Sequence, residues 1–169
     1  QQFLKQAHAI SHKKPVIIIK SGTTAAGAKA ASSHTGAIAG SDQTYEAAFK
    51  QSGIIRARDV SSLFTLAQAF SSQPLPQGPN IAIVTNSGGP GIMTADACEN
   101  SNLHIARISP DIVKQLQDFL PPYASLYNPI DIIGDADANR YAKTLSIVAR
   151  DPGVHSILVL LSPTSSIAD

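Results

Sequence analysis

A single cysteine, Cys98, leaves no internal disulfide framework, and that scarcity fits a reducing, cytoplasmic setting. No apolar run approaches the roughly 20 residues that a membrane-spanning helix requires. The N-terminal residues lack the basic-then-apolar order of a signal peptide, so no membrane partner is expected. An excess of either charge is also missing: 13 Lys and Arg stand against 12 Asp and Glu, for a net charge of +1. Without a basic run or an interleaved aromatic stripe, nucleic acid is not an expected partner. Short-period repeats and low-complexity tracts are absent.

What is present is a hydrophobic content of 43% over 169 residues, enough for one ordinary domain or two small ones. The run at 15–20, PVIIIK, is short, unbroken and β-branched, which predicts a strand buried on both faces of a parallel sheet. From 21 to 42 the sequence is almost all Gly, Ala, Ser and Thr, too poor in large apolar groups for a core element, and it predicts a long functional loop. Ser41 or Asp42 then caps a helix with Tyr45, Ala48 and Phe49 on one face, and Gly53 ends it. A strand at 54–57 leads to a helix whose expected buried stripe is Leu63, Leu66, Ala67 and Phe70.

Residues 71–79 hold three prolines and a glycine, which neither a helix nor a central strand accommodates, and mark a domain boundary. Beyond them the pattern predicts a buried strand at 80–85, a tight turn at 86–91 and a helix at 92–100. A strand at 103–108 follows. Ser109-Pro110 opens a helix with Ile112, Val113, Leu116, Phe119 and Leu120 on its apolar face. Residues 128–133 read as strand, 138–150 as helix and 154–161 as strand.

Strands alternating with helices imply α/β architecture with parallel sheets. The expectation is two flavodoxin-like doubly wound units: 1–73, a Pro-rich linker at 74–79, and 80–169. The first residues read as helix without an initiator Met, and the last follow a strand and stop. The first unit, and by the same reading the second, is therefore expected to be incomplete.

Several motifs carry chemistry in principle. Residues 22–29, GTTAAGAK, follow a strand and superficially resemble a P-loop, but Ala28 separates Gly27 from Lys29 and Ala30 stands where a metal-binding Ser or Thr belongs, so the match fails. Residues 32–37, SSHTGA, set the imidazole of His34 among hydroxyls and small side chains. Two readings stand for it: a capping or hydrogen-bonding histidine, or a nucleophile that takes up and releases a phosphoryl group.

The stretch 86–91, NSGGPG, is either a plain strand-to-helix turn or an anion site built from free amides and a helix dipole. As a dinucleotide fingerprint it is poor, because Thr94 replaces the third glycine. Capping of the following helix explains Asp135 or Asp137 without any chemistry, and Asp131 stays open between structure and chemistry. His8 and His12 stand four residues apart without a third ligand nearby, so no metal site is expected. Cys98, within a helix, reads as a core residue.

The segments KPVIIIKSG, SSHTGA, GSD with its following helix, AAFKQ, IVTNSGGPG and NPIDIIGDA together resemble the ADP-forming acetyl-CoA and acyl-CoA synthetases, relatives of succinyl-CoA synthetase, over nearly the whole chain. The resemblance implies a succinyl-CoA ligase-like fold. It implies that an acyl phosphate, formed from acyl-CoA and phosphate, passes its phosphoryl group to His34 and thence to ADP. Ser33, Thr35 and Gly36 beside the histidine, and Ser87, Gly88, Gly89 and Gly91 at the glycine turn, are the implied phosphate-binding residues. Implied cofactors are CoA and ADP/ATP with Mg2+, held mainly by CoA-binding and ATP-grasp domains, or a subunit, not included in this sequence. A carboxylate that orients the histidine is implied upstream, as is a multimeric, for instance homo-oligomeric, assembly, and the chain alone would be inactive. Neither the acyl group nor the choice of ADP over GDP is implied. Two other functions compete: an acyl-CoA-binding regulatory region of a protein acetyltransferase, whose known examples tend to lack the histidine, and a flavodoxin-like cofactor binder.

Overall fold

The computed structural model describes residues 2–35 and 41–163, the side chains of His34 and Thr35 excepted. The chain divides into two compact units, Gln1–Leu75 and Pro76–Asp169, each with its own parallel sheet. Among the described residues no helix is long and apolar enough to cross a membrane.

The first unit runs α1 (Gln2–Ser11), β1 (Ile17–Ile19), α2 (Ala25–Thr35), α3 (Asp42–Gln51), β2 (Ile55–Ala57) and α4 (Val60–Ser72). β1 and β2 pair in parallel, with Ile17 opposite Ile55 and Ile19 opposite Ala57. Ala7, Phe49 and Ile54 form the core, with Leu4, Val16 and Ile18 packed against them. α3 shows how sequence fixes an element at both ends. Ser41 Oγ accepts the Thr44 amide at 3.3 Å, capping the start. At the other end the Ile54 amide reaches back to the Phe49 carbonyl at 2.9 Å and the Gly53 amide to the Lys50 carbonyl at 3.3 Å, a Schellman closure. Gly53 has φ +67°, and a Cβ there would stand 2.9 Å from Ser11 Oγ, so glycine is required twice over.

Three expectations for this unit are corrected. β1 is not buried on both faces: in a two-stranded sheet Ile17 and Ile18 are half-buried and Ile19 is exposed. The long loop at 21–42 contains α2, because five of the helix's eleven residues are alanine, the strongest helix former, and Thr24 Oγ1 accepts the Gly27 amide at 3.1 Å to start it. Poverty in large apolar groups rules out a core element, not a helix, and no described α2 residue is buried. The stripe of α4 is half-buried at Leu63, Leu66 and Phe70 and exposed at Ala67, since the sheet beneath it has only two strands.

The second unit runs β3 (Asn80–Thr85), α5 (Gly88–Glu99), β4 (His104–Ile105), α6 (Pro110–Gln117), β5 (Ile130–Asp131), α7 (Ala138–Val148) and β6 (Ser156–Leu160). β3 is central. β6 pairs along one of its edges from Ile81 to Thr85, while β4 and β5 share the other edge, β4 at Asn80–Ile81 and β5 at Val84–Thr85. Ile81 and Ile83 point into a core with Cys98 and Ala95 of α5, and Ala82 and Val84 into the larger core with Ile112, Leu116, Ile147 and Val148 of α6 and α7. Burial on both faces is what the uninterrupted NIAIVT run dictates.

β4 and β5 are shorter than expected, and Asn128 is the reason. Its Oδ1 accepts the Ile83 amide at 2.9 Å, while its Nδ2 donates to the carbonyls of Ile81 (2.8 Å) and Ala106 (3.0 Å). The carboxamide thus stands in for a strand's peptide group where β4 leaves β3 and before β5 arrives. Asn86 does the same beyond the other edge: its Nδ2 donates to the Ser162 carbonyl (2.7 Å) and its Oδ1 accepts the Ser162 amide (2.8 Å).

Asp151, 3% exposed, accepts the amides of Ser109 and Gly153, so the N-cap residue of α6 is tied to the loop before β6. Burial pushes this carboxyl's pKa up, and the bonds from Ser109 and Gly153 outweigh it, leaving the group below its ordinary value of 3.8. At the start of β3, His155 Nδ1 accepts the Asn80 amide at 3.1 Å, and its ring fills the space above Gly78, where a Cβ would lie 2.5 Å from Nδ1.

Replacing Asn128 by Ala strands the Ile83 amide and is expected to cost the second unit about 2–3 kcal/mol. Asn128→Asp should cost more at neutral pH, because a carboxylate then faces two carbonyls; urea unfolding of the three proteins would show the order. Because the folded pKa of Asp151 lies below the unfolded one, its contribution is full above the unfolded value and is lost as pH falls through the folded value. Thermal unfolding between neutral and strongly acid pH should therefore show a component that Asp151→Asn removes.

Candidate functional site

α2 carries the histidine motif: Ser33, His34 and Thr35 form its last turn, while Gly36 lies outside the described residues. Ser33 is exposed and its Oγ donates to the Lys29 carbonyl at 2.7 Å, so the hydroxyl is engaged with its own helix. The glycines of the P-loop look-alike have a packing role instead. Gly22 has φ +71°, and a Cβ on Gly27 would stand 3.2 Å from Gly22 Cα, so the two let the loop after β1 fold against α2.

Sequence reasoning missed a charged cleft of about 470 Å³ at the carboxyl ends of β1 and β2, the end of a parallel sheet where ligands usually bind. It is lined by Lys20, Thr23, Glu46, Arg56, Ala57 and Arg58. Arg56 spans Asp42 and Glu46, at 2.7 Å from each, and Lys20 Nζ lies 3.6 Å from Asp42. The Arg56 guanidinium holds the Asp42 carboxyl below the usual carboxylate range, and Asp42 and then Glu46 raise the Arg56 pKa in return. The available signal was a basic residue immediately after one strand and two within and after the other.

In the second unit the glycine turn is corrected: Gly88, Gly89, Pro90 and Gly91 are the first turn of α5, with Ser87 at the N-cap. Ser87 makes no side-chain cap bond; its own amide goes to Thr85 Oγ1 (3.0 Å) and its carbonyl accepts the Thr85 hydroxyl (2.9 Å). Gly88 and Gly89 are exposed, and as the first two residues of the helix they have no carbonyl partner within it. Gly91 differs. Its amide is committed to the Ser87 carbonyl at 3.3 Å, and a Cβ would meet Thr85 Cγ2 at 3.1 Å and Pro129 Cβ at 3.4 Å.

Asp131 faces this turn: its Oδ2 would lie 3.4 Å from a Cβ on Gly88, and its Oδ1 accepts the Ile133 amide at 2.9 Å. Ile133 itself has φ +74°, a left-handed conformation that costs a β-branched residue on the order of 1–3 kcal/mol and that its surroundings must enforce. Asp137 caps α7 through the Arg140 amide at 2.7 Å and Asp135 pairs with the Arg140 side chain, so both have structural work.

Known proteins match both units. A succinyl-CoA ligase-like flavodoxin domain model matches residues 1–70, and a ligase-CoA domain model matches residues 81–165. The ADP-forming acetate–CoA ligase I of Archaeoglobus fulgidus is 43% identical over 98% of this chain and 24% of its own length. The ADP-forming 4-hydroxybutyrate–CoA ligase of Nitrosopumilus maritimus is 45% identical over 99% of this chain and 24% of its own. The chain belongs to the ADP-forming acyl-CoA synthetase family. The solved dinucleotide-forming acetyl-coenzyme A synthetase 1 of Ca. Korarchaeum cryptofilum, in complex with phosphate and ADP, superposes with a TM-score of 0.85 at 39% identity, covering 94% of this chain and 34% of that one. The succinyl-CoA ligase-like α/β fold expected from the sequence is thus present. This acyl-CoA synthetase family chain spans about a quarter to a third of the length of the relatives it matches.

Packing and ligand roles of the α5 glycines separate by substitution, since none of the three has a positive φ. Gly91→Ala should destabilise the second unit by about 1–3 kcal/mol through overpacking. Gly89→Ala, which meets nothing within 4 Å, should leave stability unchanged or raise it by up to about 1 kcal/mol. Equal losses in calorimetry would refute the distinction.

Proposed function

We propose that this chain is part of a cytoplasmic acyl-CoA synthetase that interconverts acyl-CoA, phosphate and ADP with the free acid, CoA and ATP, and that His34 carries the phosphoryl group. The observation behind it is identity of 43–45% to ADP-forming acid–CoA ligases over 98–99% of the chain. In the proposed cycle phosphate displaces CoA from the thioester. A ring nitrogen of His34 then attacks the phosphorus of the acyl phosphate, the P–O bond to the acyl group breaks, and the carboxylate leaves. A β-phosphate oxygen of ADP next attacks phosphohistidine, and breaking the N–P bond regenerates imidazole.

Small neighbours suit such a residue, because both donor and acceptor are bulky. The carbonyl end of a helix carries partial negative charge and does not itself favour a phosphoryl group, so amide donors have to be supplied by other elements. Separately, within the second unit, we propose that Gly88 and Gly89, with Ser87 at the N-cap, bind phosphate through their free amides. Gly91 supports them by letting α5 pack against Thr85 and Pro129, and Ser33, Thr35 and Gly36 complete the phosphate-handling set around His34. CoA, the nucleotide and Mg2+ are proposed to be held mainly by CoA-binding and ATP-grasp parts of the enzyme or of a second subunit. The acetyltransferase-regulator reading has no supporting observation.

In the complete enzyme, labelled inorganic phosphate with acyl-CoA should mark the wild type through an acid-labile, base-stable bond. His34→Ala should remain unlabelled and lose activity by about 10³-fold or more, the scale seen when a covalent nucleophile is deleted. Equal labelling of the variant would refute the assignment.

A further inference from the structure

His8 and His12 stand one turn apart at the C-terminal end of α1, and both are exposed. Their Nε2 atoms face each other at 3.3 Å, with the rings nearly perpendicular at 86° and their centroids 4.6 Å apart. Without a ligand, one nitrogen shares a proton with the other. The same separation suits a different occupant. A metal ion about 2.05 Å from each nitrogen, the usual zinc–imidazole distance, would subtend an N–M–N angle of about 107°, close to tetrahedral. Small rotations of the two rings aim the lone pairs at that point.

We propose that His8 and His12 form a two-histidine chelate for a borderline divalent transition ion such as Zn2+ or Cu2+, with water filling the remaining positions. The donor set selects this class. Two imidazoles without a carboxylate suit zinc, copper and nickel and do not suit Mg2+ or Ca2+. Among the described residues no third histidine, cysteine, aspartate or glutamate joins the pair, and the neighbouring groove is lined by Leu4, Lys5, Gln51 and Ser52. The site is therefore open to solvent and of modest affinity, unlike a closed structural zinc centre.

Its place in the fold gives it an effect beyond binding. Ser11, between the two histidines' turn and the next loop, donates from Oγ to the Ser52 carbonyl at 2.7 Å and lies within 3.0 Å of the His8 carbonyl. The α1 terminus is thereby fastened to the C-cap of α3. An ion bridging positions 8 and 12 pins the last turn of α1 and reinforces that corner.

The test uses the untagged full chain, with one equivalent of Cu2+ followed by electron paramagnetic resonance and Zn2+ binding followed by calorimetry. Wild type should show hyperfine splitting from two nitrogens and one principal site. His8→Ala and His12→Ala should each weaken that site at least tenfold, and the surface variant His104→Ala should not. Substoichiometric Zn2+ should also shift the imidazole resonances of residues 8 and 12 together in the wild type, a readout that needs no variant. Two independent sites each changed less than about twofold, or shifts at neither ring, would overturn the chelate.

Discussion

A strand with neighbours on both edges and cores on both faces must find a partner for every peptide group it carries, and β3 meets part of that demand with the side chain of Asn128. Where β4 and β5 leave a gap on one edge, Asn128 supplies a donor and an acceptor. Past the end of the β6 ladder, Asn86 supplies another such pair. An unpaired amide beside residues with no solvent exposure, such as Ala82, Ile83 and Val84, would cost more than most single contacts contribute. The Asn128 carboxamide therefore allows the short strands β4 and β5 to coexist on one edge, and the loops leading to the first turn of α5 and to Asp131 hang from that frame.

That arrangement also explains what was legible in the sequence and what was not. The runs at 15–20 and 80–85 announce β1 and β3 as strands, but burial on both faces follows for β3 and not for β1, where Ile17 and Ile18 are half-buried and Ile19 is exposed. The lengths of β4 and β5 were hidden, since they depend on a side chain at 128 meeting backbone at 81, 83 and 106. α2 was hidden for another reason. A segment without large apolar residues cannot anchor a core, but alanine needs no core to favour helix. The start of α5 was misread because glycine signals a turn, although in a first turn its penalty is small and Pro90 has no amide to lose.

The chemistry divides along the same line. His34 stands out by residue type among small neighbours, and the glycines at 88, 89 and 91 stand out by density. Their different duties, two with open amides and one pressed against Thr85 and Pro129, appear only in three dimensions. The Lys20, Arg56 and Arg58 cleft was invisible in one dimension because the register of β1 on β2 brings its members together. Asp42, which reads as a helix cap, spends its carboxylate there on Arg56, while Ser41 does the capping.

The imidazole of His155 reaches across from the start of β6 to hold the first amide of β3, and Gly78 gives it room. Every atom of this clasp belongs to residues downstream of 76, as do β4, β5 and β6, the strands that pair with β3. A break in the polypeptide among the prolines at 74 and 76 would leave the clasp shut and the central strand in place. Genes that encode this architecture can therefore be cut or rejoined at that point without unravelling the downstream half.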